Sequence, residues 1–269
     1  MKTNLSGSDM NILEVRGLGV SFYDPAGPRK ILDGINFDIR KNEIFGIVGE
    51  SGSGKTVTAL SILRLIGHSG SITAGEIIFG GMDLLKIEEE RMRGIRGARI
   101  SMVFQEPSSA LDPVFTAGCQ IEEAALAHGK MNTSAAKDAA IELLRMVHVK
   151  DPLKVFSSYP HQLSGGTKQR VSIAMALVNS PELIIMDEPT TALDVTIQSE
   201  ILGLVSEIAD KKKISILFIS HDLGVINRMC QRVAVMRRGK IVESGDKDTI
   251  LKNPSNGYTA SLLASARAL

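Results

Sequence analysis

The stretch Gly49-Glu50-Ser51-Gly52-Ser53-Gly54-Lys55-Thr56 directly follows the apolar run Ile44-Phe45-Gly46-Ile47-Val48. It fits the pattern G-x-x-x-x-G-K-[ST] of a phosphate-binding loop between a strand and a helix. The glycines allow the backbone to curl until successive N–H groups face phosphate oxygens, and a helix starting near Lys55 adds its positive end. We therefore expect all eight residues to contact a nucleoside triphosphate, with Lys55 on the β- and γ-phosphates and Thr56 on a magnesium ion.

The composition narrows the class of protein. The chain has 269 residues, of which 31 are basic, 30 acidic and 43% hydrophobic. The balanced charge does not favour nucleic acid as a partner, and no run approaches the roughly 18 apolar residues of a membrane helix. The leader Met1–Asp9 lacks the apolar centre of an export signal, so we expect a cytoplasmic chain. Met10 is an alternative start. Cys119 and Cys230 are expected to be buried thiols outside any disulfide, with a metal site as the alternative.

The region around the loop has the pattern of an antiparallel sheet. Short apolar or alternating runs predict strands at 12–15, 20–23, 35–39 and 72–79. A further buried strand at 100–104 ends at Gln105.

The second half of the chain alternates helices with buried strands. Apolar positions at helical spacing predict a helical insert at about 116–149, interrupted at Gly129 and Asn132. Continuous apolar strands at 183–186 and 214–219 flank a helix at about 197–209, which is typical of a covered parallel sheet. A hairpin is predicted at 233–243. The fold class is therefore α/β with a P-loop core.

Two carboxylates end the buried strand at 183–186. Asp187 lies where it can hold magnesium or its water, and Glu188 follows one residue further out. We expect Glu188 to orient and polarise the water that attacks the γ-phosphate.

A second candidate anion site lies in Leu163-Ser164-Gly165-Gly166-Thr167-Lys168-Gln169-Arg170, where a serine and two glycines open a helix. This segment resembles the signature Leu-Ser-Gly-Gly-x-x-Gln of ABC transporter ATPases. The resemblance implies ATP held between two subunits, so that Ser164, Gly165 and Gly166 of one chain would cover the nucleotide on the loop of the other. Thr167 stands where the family often has methionine.

The same resemblance assigns further roles along the chain. Gln105 matches the glutamine that senses magnesium and links to the transport channel, so it is expected among both the metal and the catalytic residues. His221 matches the histidine on the γ-phosphate. Asp194, in Thr191-Ala192-Leu193-Asp194, matches the loop that meets the partner subunit and its nucleotide. An aromatic residue stacks on adenine in this family, and Phe22 is favoured over its neighbour Tyr23.

The resemblance also predicts the domain organisation. We expect a single nucleotide-binding domain over 1–269, with the ABC ATPase core and its antiparallel β-subdomain at 11–105 and 181–250. The helical subdomain with the signature would occupy 106–180, and a C-terminal tail 251–269.

Two segments are similar to importers of peptides or nickel. They are the stretch from Phe104 to Thr116 and the tail Asn253-Pro254-Ser255-Asn256-Gly257-Tyr258-Thr259-Ala260-Ser261-Leu262-Leu263, which resembles Pro-Tyr-Thr-x-x-Leu-Leu. We expect an ATPase subunit that uses ATP and Mg²⁺ to power import of di- and oligopeptides, with nickel or another small solute as the alternative. The sequence stops before the cysteine-bearing extension of many such ATPases, so no iron–sulfur cluster is expected.

The implied partners are a second, homologous ATPase in a hetero- or homodimer, two membrane permeases and, indirectly, an extracytoplasmic solute-binding protein. The chain would then lie peripherally on the cytoplasmic face of the inner membrane. A soluble ABC ATPase acting on nucleic acid or ribosomes is the rival from another class, but the long coiled coils or second cassette of such proteins are not in this sequence. A nucleotide kinase would share the loop but not use the signature.

Overall fold

The computed structural model describes residues 11–25, 27–129, 131–191 and 193–267. The predicted leader and alternative start at Met10, and Ala192 of the predicted partner loop, lie outside the described residues. The chain forms two compact units, one from residues 1–92 with 213–269 and the other from residues 93–212. The predicted helical subdomain at 106–180 lies within the second unit, and its boundaries stay a prediction.

The helices and strands in chain order are β1 (Asn11–Asp24), β2 (Gly27–Arg40), β3 (Ile44–Val48), α1 (Lys55–Ile62), β4 (Gly70–Phe79), β5 (Met82–Asp83), α2 (Glu89–Arg93), β6 (Ile100–Val103), α3 (Pro107–Ala110), α4 (Ala117–Leu126), α5 (Thr133–Met146), α6 (Pro152–Phe156), α7 (Gly165–Leu177), β7 (Leu183–Asp187), α8 (Val195–Lys212), β8 (Ser215–Ser220), α9 (Leu223–Met229), β9 (Arg232–Arg237), β10 (Lys240–Asp246), α10 (Lys247–Lys252) and α11 (Gly257–Arg267).

An antiparallel sheet of order β2-β1-β4-β5 forms part of the first unit. The two short strands predicted at 12–15 and 20–23 are one strand, β1, whose pairing with β2 shifts register between Val15 and Val20. Gly17 lies in this irregular stretch with a φ of 59°, a conformation that glycine adopts without strain. A bulge thus keeps the strand continuous where the apolar pattern is interrupted.

The same unit contains the strand that leads into the phosphate loop. β3 pairs in parallel with β8 on one side and with β9 on the other, and β10 returns antiparallel to β9. Every residue of β3 and β8 is buried, as continuous apolar runs predict for covered parallel strands. The loop therefore starts from a rigid, fully paired strand.

The second unit combines helices with the parallel pair β6 and β7. The predicted helical insert at 116–149 is two helices, α4 and α5, as the break at Gly129 and Asn132 suggested. Gly129 has a φ of 64°, and the Asn132 side chain caps α5 by accepting from Ala135 N at 2.9 Å.

Throughout the described ranges, no helix combines the length and the apolar character needed to cross a membrane. Both cysteines are free thiols, and the prediction that they are buried is confirmed for Cys230 but wrong for Cys119, which is exposed in the first turn of α4. Burial raises the pKa of Cys230 to about 12.

A pair of helical glycines tests the packing of the second unit. A Cβ on Gly118 in α4 would lie 2.4 Å from the Phe156 ring, whereas a Cβ on Gly203 in α8 would meet nothing within 4 Å. We expect Gly118→Ala to lower the free energy of unfolding by about 1–3 kcal/mol through overpacking. Gly203→Ala should raise it by roughly 0.5–1 kcal/mol, because alanine loses less backbone entropy. Urea unfolding measures both, and equal stabilities for the two variants would contradict the packing of α4 on α6.

Candidate nucleotide site

The phosphate loop begins at a position where only glycine fits. A Cβ on Gly49 would lie 2.1 Å from Met236 O of β9, well inside van der Waals contact. At the other end of the loop, Gly54 has a φ of 108° and precedes the first residue of α1. A Cβ there would lie 2.6 Å from Leu32 Cδ2. Both ends of the loop thus use glycine for close approach, as the motif predicts.

Lys55 starts α1, and its side chain folds back under the loop. Its ammonium donates to Gly49 O at 2.9 Å and to Glu50 O at 3.0 Å, and the residue is only 5% exposed. Thr56 follows as an exposed residue of the first helical turn. The positive charge and the N-terminal N–H groups of α1 therefore lie at the same edge of the loop, an arrangement that attracts phosphate.

Ser53 supplies a direct sign that the loop fits an anion. Its hydroxyl is buried, and it has no hydrogen-bond partner among the residues described. The oxygen lies inside the curl, 3.0 Å from where a Cβ on Gly49 would be. Because a buried hydroxyl without a partner costs free energy, a phosphate oxygen at this place would satisfy a donor that the protein leaves unused.

The loop is braced from outside by the turn of the β9–β10 hairpin. Gly239 N donates to Ser53 O at 2.8 Å, and Gly239 O accepts from Asp33 N at 2.8 Å. Glu50 N donates to the hydroxyl of Tyr258 in α11 at 3.4 Å. The sequence patterns predicted the loop but none of these three contacts, since residues distant along the chain provide them.

His221 lies in the same unit, in the turn between β8 and α9, and is exposed. The turn is fixed on both sides of it: Asp222 N donates to Ser220 Oγ at 2.9 Å, and Asp222 Oδ1 accepts from Gly224 N at 2.7 Å. His221 thus lies in a two-residue turn that hydrogen bonds hold between the buried strand β8 and α9.

Phe22 and Tyr23 differ in exposure. Phe22 is half-buried, and its ring lies over Gly70, whose Cβ would be 3.0 Å from Phe22 Cζ. Tyr23 is 55% exposed. The contact of Phe22 with adenine stays a prediction, with Tyr23 as the alternative.

In the second unit, the two acids end β7. Asp187 is 2% exposed, and Glu188 has a φ of 46°, which is unusual for a residue other than glycine. Such backbone conformations cost free energy and are concentrated at functional sites. The chain turns at Glu188, so Glu188 is less buried than the residues of β7 before it.

The Glu188 carboxylate takes part in a small hydrogen-bonded cluster. Its Oε2 accepts from Gln105 Nε2 at 3.1 Å and from Thr191 Oγ1 at 3.0 Å. Gln105 and Glu188 were predicted to act in one site, and they lie in direct contact. The sequence patterns did not predict the contact of Thr191 with Glu188. The spacing of three residues between them is a signal that could have identified it.

The signature segment opens α7. Ser164 caps the helix by accepting from Thr167 N at 3.3 Å, and both Ser164 and Gly165 are exposed. Gly166 lies against Ile197, whose Cγ2 would be 2.7 Å from a Cβ on the glycine. Asp194 caps α8 by accepting from Ile197 N at 3.0 Å. The serine, the first glycine and Asp194 are therefore on the surface, where another molecule can reach them.

Oxygen groups suited to magnesium are present in each unit taken separately. The first unit has the Thr56 hydroxyl, and the second has the Gln105 amide and the Asp187 carboxylate, the kinds of oxygen ligand that Mg²⁺ takes together with phosphate oxygens. Their joint binding of one ion stays a prediction. In the described part of the chain, no group of three or more histidines, cysteines or acids is arranged to hold a metal by itself.

Comparison with known proteins places these motifs in a family. A family model described as "ABC transporter" matches residues 32–191. The chain is 48% identical to a probable peptide ABC transporter ATP-binding protein of Sinorhizobium fredii, over 94% of this chain and 76% of the relative. It is 47% identical to the dipeptide transport ATP-binding protein of Bacillus subtilis, over 96% of this chain and 77% of the relative.

A solved structure is similar over most of the chain. The dimeric ATP-binding cassette MJ0796, in a post-hydrolysis state bound to ADP and Pi, superposes with a TM-score of 0.78 and 26% sequence identity. The match covers 87% of this chain and 98% of that one.

Replacing the loop lysine tests the site directly. Lys55→Ala removes the buried ammonium next to Gly49 and Glu50, so we expect nucleotide affinity to fall by at least about tenfold, the loss of one strong charge-assisted contact. Equilibrium titration with a fluorescent ATP analogue measures it. Lys41→Ala, at an exposed turn, is the matched control. Equal affinities for both variants would exclude this loop as the phosphate site.

Proposed function

The chain belongs to the ABC transporter family, and on that premise we propose that it is the ATP-hydrolysing subunit of an importer for di- and oligopeptides. The observation that carries the choice of cargo is the similarity, over nearly the whole chain, to relatives named for peptide and dipeptide transport. ATP binding and hydrolysis are the activity of the family.

The phosphate loop would hold the triphosphate by its backbone N–H groups, the Ser53 hydroxyl and the Lys55 ammonium. The curled backbone between Gly49 and Gly54 is held at both ends, because Gly49 packs against Met236 and Gly54 against Leu32. Binding therefore needs little rearrangement, which preserves the free energy of the phosphate contacts. His221 would contact the γ-phosphate.

Hydrolysis requires a base that positions one water. We assign this role to Glu188, whose carboxylate is oriented by Gln105 and Thr191. The water oxygen would form a bond to the γ-phosphorus while its proton passes to Glu188 and the bond to the ADP oxygen breaks. Asp187, Gln105 and Thr56 would hold Mg²⁺, which when bound neutralises part of the charge on the phosphates.

The exposed signature supports a second subunit. Ser164, Gly165 and Asp194 lie on the surface of their unit and would contact a nucleotide held by a homologous ATPase, as a dimer of this family closes. Closure would follow from the contacts of ATP with both chains, and opening from the loss of the γ-phosphate. A homologous but different subunit or a second copy of this chain can fill that place.

Two membrane permeases are the proposed route for the cargo. Large apolar side chains are exposed in the segment after Gln105, where Val114 is 68% and Phe115 47% exposed. Such side chains support docking of a helix from a membrane subunit on this segment. An extracytoplasmic binding protein would deliver the peptide, and this chain would act at the cytoplasmic face of the membrane.

Uptake measurements test the proposal as a whole. In cells lacking the gene, the wild-type chain should restore uptake of a radiolabelled dipeptide, and Glu188→Gln should not. The purified Glu188→Gln chain should still bind ATP but lose at least about 100-fold in turnover, because the amide cannot take the proton.

Glu142→Gln is the matched control, an exposed acid of α5 that pairs with Arg145. It should behave as wild type in uptake and turnover. Full turnover in Glu188→Gln would contradict the assignment of the base. Unchanged dipeptide uptake in the deletion strain, with loss of nickel uptake instead, would contradict the peptide cargo.

A further inference from the structure

The phosphate loop and the C-terminal helix are joined by one hydrogen bond. Glu50 N donates to the hydroxyl of Tyr258, in the first turn of α11, at 3.4 Å, across 208 positions of the chain. Within the described part of the first unit, the Tyr258 hydroxyl therefore links the C-terminal helix to the phosphate loop.

The donor belongs to the peptide unit that also contacts Lys55. The N–H of Glu50 and the C=O of Gly49 are parts of one planar peptide, and in the trans form they point in opposite directions. Gly49 O accepts from Lys55 Nζ at 2.9 Å. Tyr258 and Lys55 therefore hold opposite ends of the same peptide, so the hydroxyl fixes the orientation in which the carbonyl faces the ammonium.

Tyr258 is itself held at its backbone. Its N–H donates to Asn256 Oδ1 at 2.9 Å. The residues just before it are anchored to Glu243 of β10, whose Oε1 accepts from Ser255 N and Ser255 Oγ, both at 2.7 Å. Burial acts to raise the pKa of Glu243, but hydrogen bonds from Ser255 and from Asn256 N outweigh it and lower that pKa. The anchor is therefore a charged carboxylate at neutral pH.

The ring of Tyr258 is held as well. The Arg237 guanidinium lies over it, 4.4 Å from the ring centroid. Burial raises the pKa of Tyr258, while the hydrogen bond from Glu50 N and the charge of Arg237 oppose that shift. The phenol accordingly stays protonated, and its oxygen accepts from Glu50 N–H.

We propose that Tyr258 is a positioning residue for nucleotide binding, which holds the Gly49–Glu50 peptide so that Lys55 stays aligned for the phosphates. The inference rests on the nucleotide site proposed above. Without the hydroxyl, the peptide could rotate, and binding would have to restore its orientation at a cost in affinity. A purely structural role for α11 would instead reduce the amount of folded protein.

Titration calorimetry with Mg-AMP-PNP separates these two roles in the full chain. Tyr258→Phe removes only the hydroxyl and keeps the ring under Arg237. We expect its dissociation constant to rise about fivefold, the usual effect of one lost hydrogen bond, with an unchanged number of sites per chain. In hydrogen–deuterium exchange, the Glu50 amide of the variant should exchange faster than in wild type, without nucleotide present.

Two further variants complete the test. Tyr159→Phe removes the hydroxyl of another partly exposed tyrosine and should keep the wild-type dissociation constant. Arg237→Gln leaves the hydroxyl but removes the cation over the ring, and should raise the dissociation constant by about twofold.

An unchanged dissociation constant in Tyr258→Phe would overturn the positioning role while leaving the nucleotide site intact. Fewer sites at an unchanged dissociation constant would also overturn it, because that result assigns the tyrosine to folding alone. Failure of the wild-type chain to bind Mg-AMP-PNP would overturn the nucleotide site itself.

Discussion

The close approach of Gly49 to Met236 O is the constraint on which the phosphate loop depends. A side chain there would lie 2.1 Å from the carbonyl, so any other residue would push the start of the loop away from β9. With the backbone held at that distance, the carbonyls of Gly49 and Glu50 both face Lys55, and Ser53 turns its hydroxyl inward. The ammonium of Lys55, the N-terminus of α1 and the unused Ser53 hydroxyl thereby lie at one loop, and fixed donors of this kind favour an anion.

Asp187 and Glu188, the two acids at the end of β7, have different environments. A base for hydrolysis must be ionised and oriented, yet not so tightly held that it cannot accept a proton. In the role proposed for it, Glu188 would meet these requirements, because it follows the buried strand with a φ of 46° and accepts hydrogen bonds from neutral groups, an amide and a hydroxyl. Asp187 stays in the buried strand one residue earlier. These two neighbours in sequence thus have unlike surroundings, as the different roles proposed for them require.

The local features were predictable from the sequence because short-range chemistry determines them. The glycines of the loop, the serine cap of α7 and the helix break at Gly129 each follow from the backbone preferences of the residues involved. The family and the α/β fold followed from motifs in a fixed order and are confirmed. The functional roles of the individual residues stay predictions.

What sequence reasoning missed depends on contacts between distant parts of the chain. The bulge that joins the two halves of β1 arises from pairing with β2. The braces of the phosphate loop come from Gly239 and Tyr258, and no periodicity shows that a hairpin turn and a C-terminal helix will meet that loop. Such contacts are chosen by tertiary packing, which single-sequence patterns do not contain.

The central claim, that this chain converts ATP hydrolysis into peptide import, is tested most directly on the transporter purified from its native membranes through a tag on this chain. ATP hydrolysis is measured with and without a dipeptide-loaded binding protein. We expect two permeases and a second ATPase to co-purify, and hydrolysis to rise several-fold with the loaded binding protein, as coupling of the two sites requires. An ATP hydrolysis rate that is unchanged by the dipeptide-loaded binding protein and increases with ribosomes or DNA would contradict the claim.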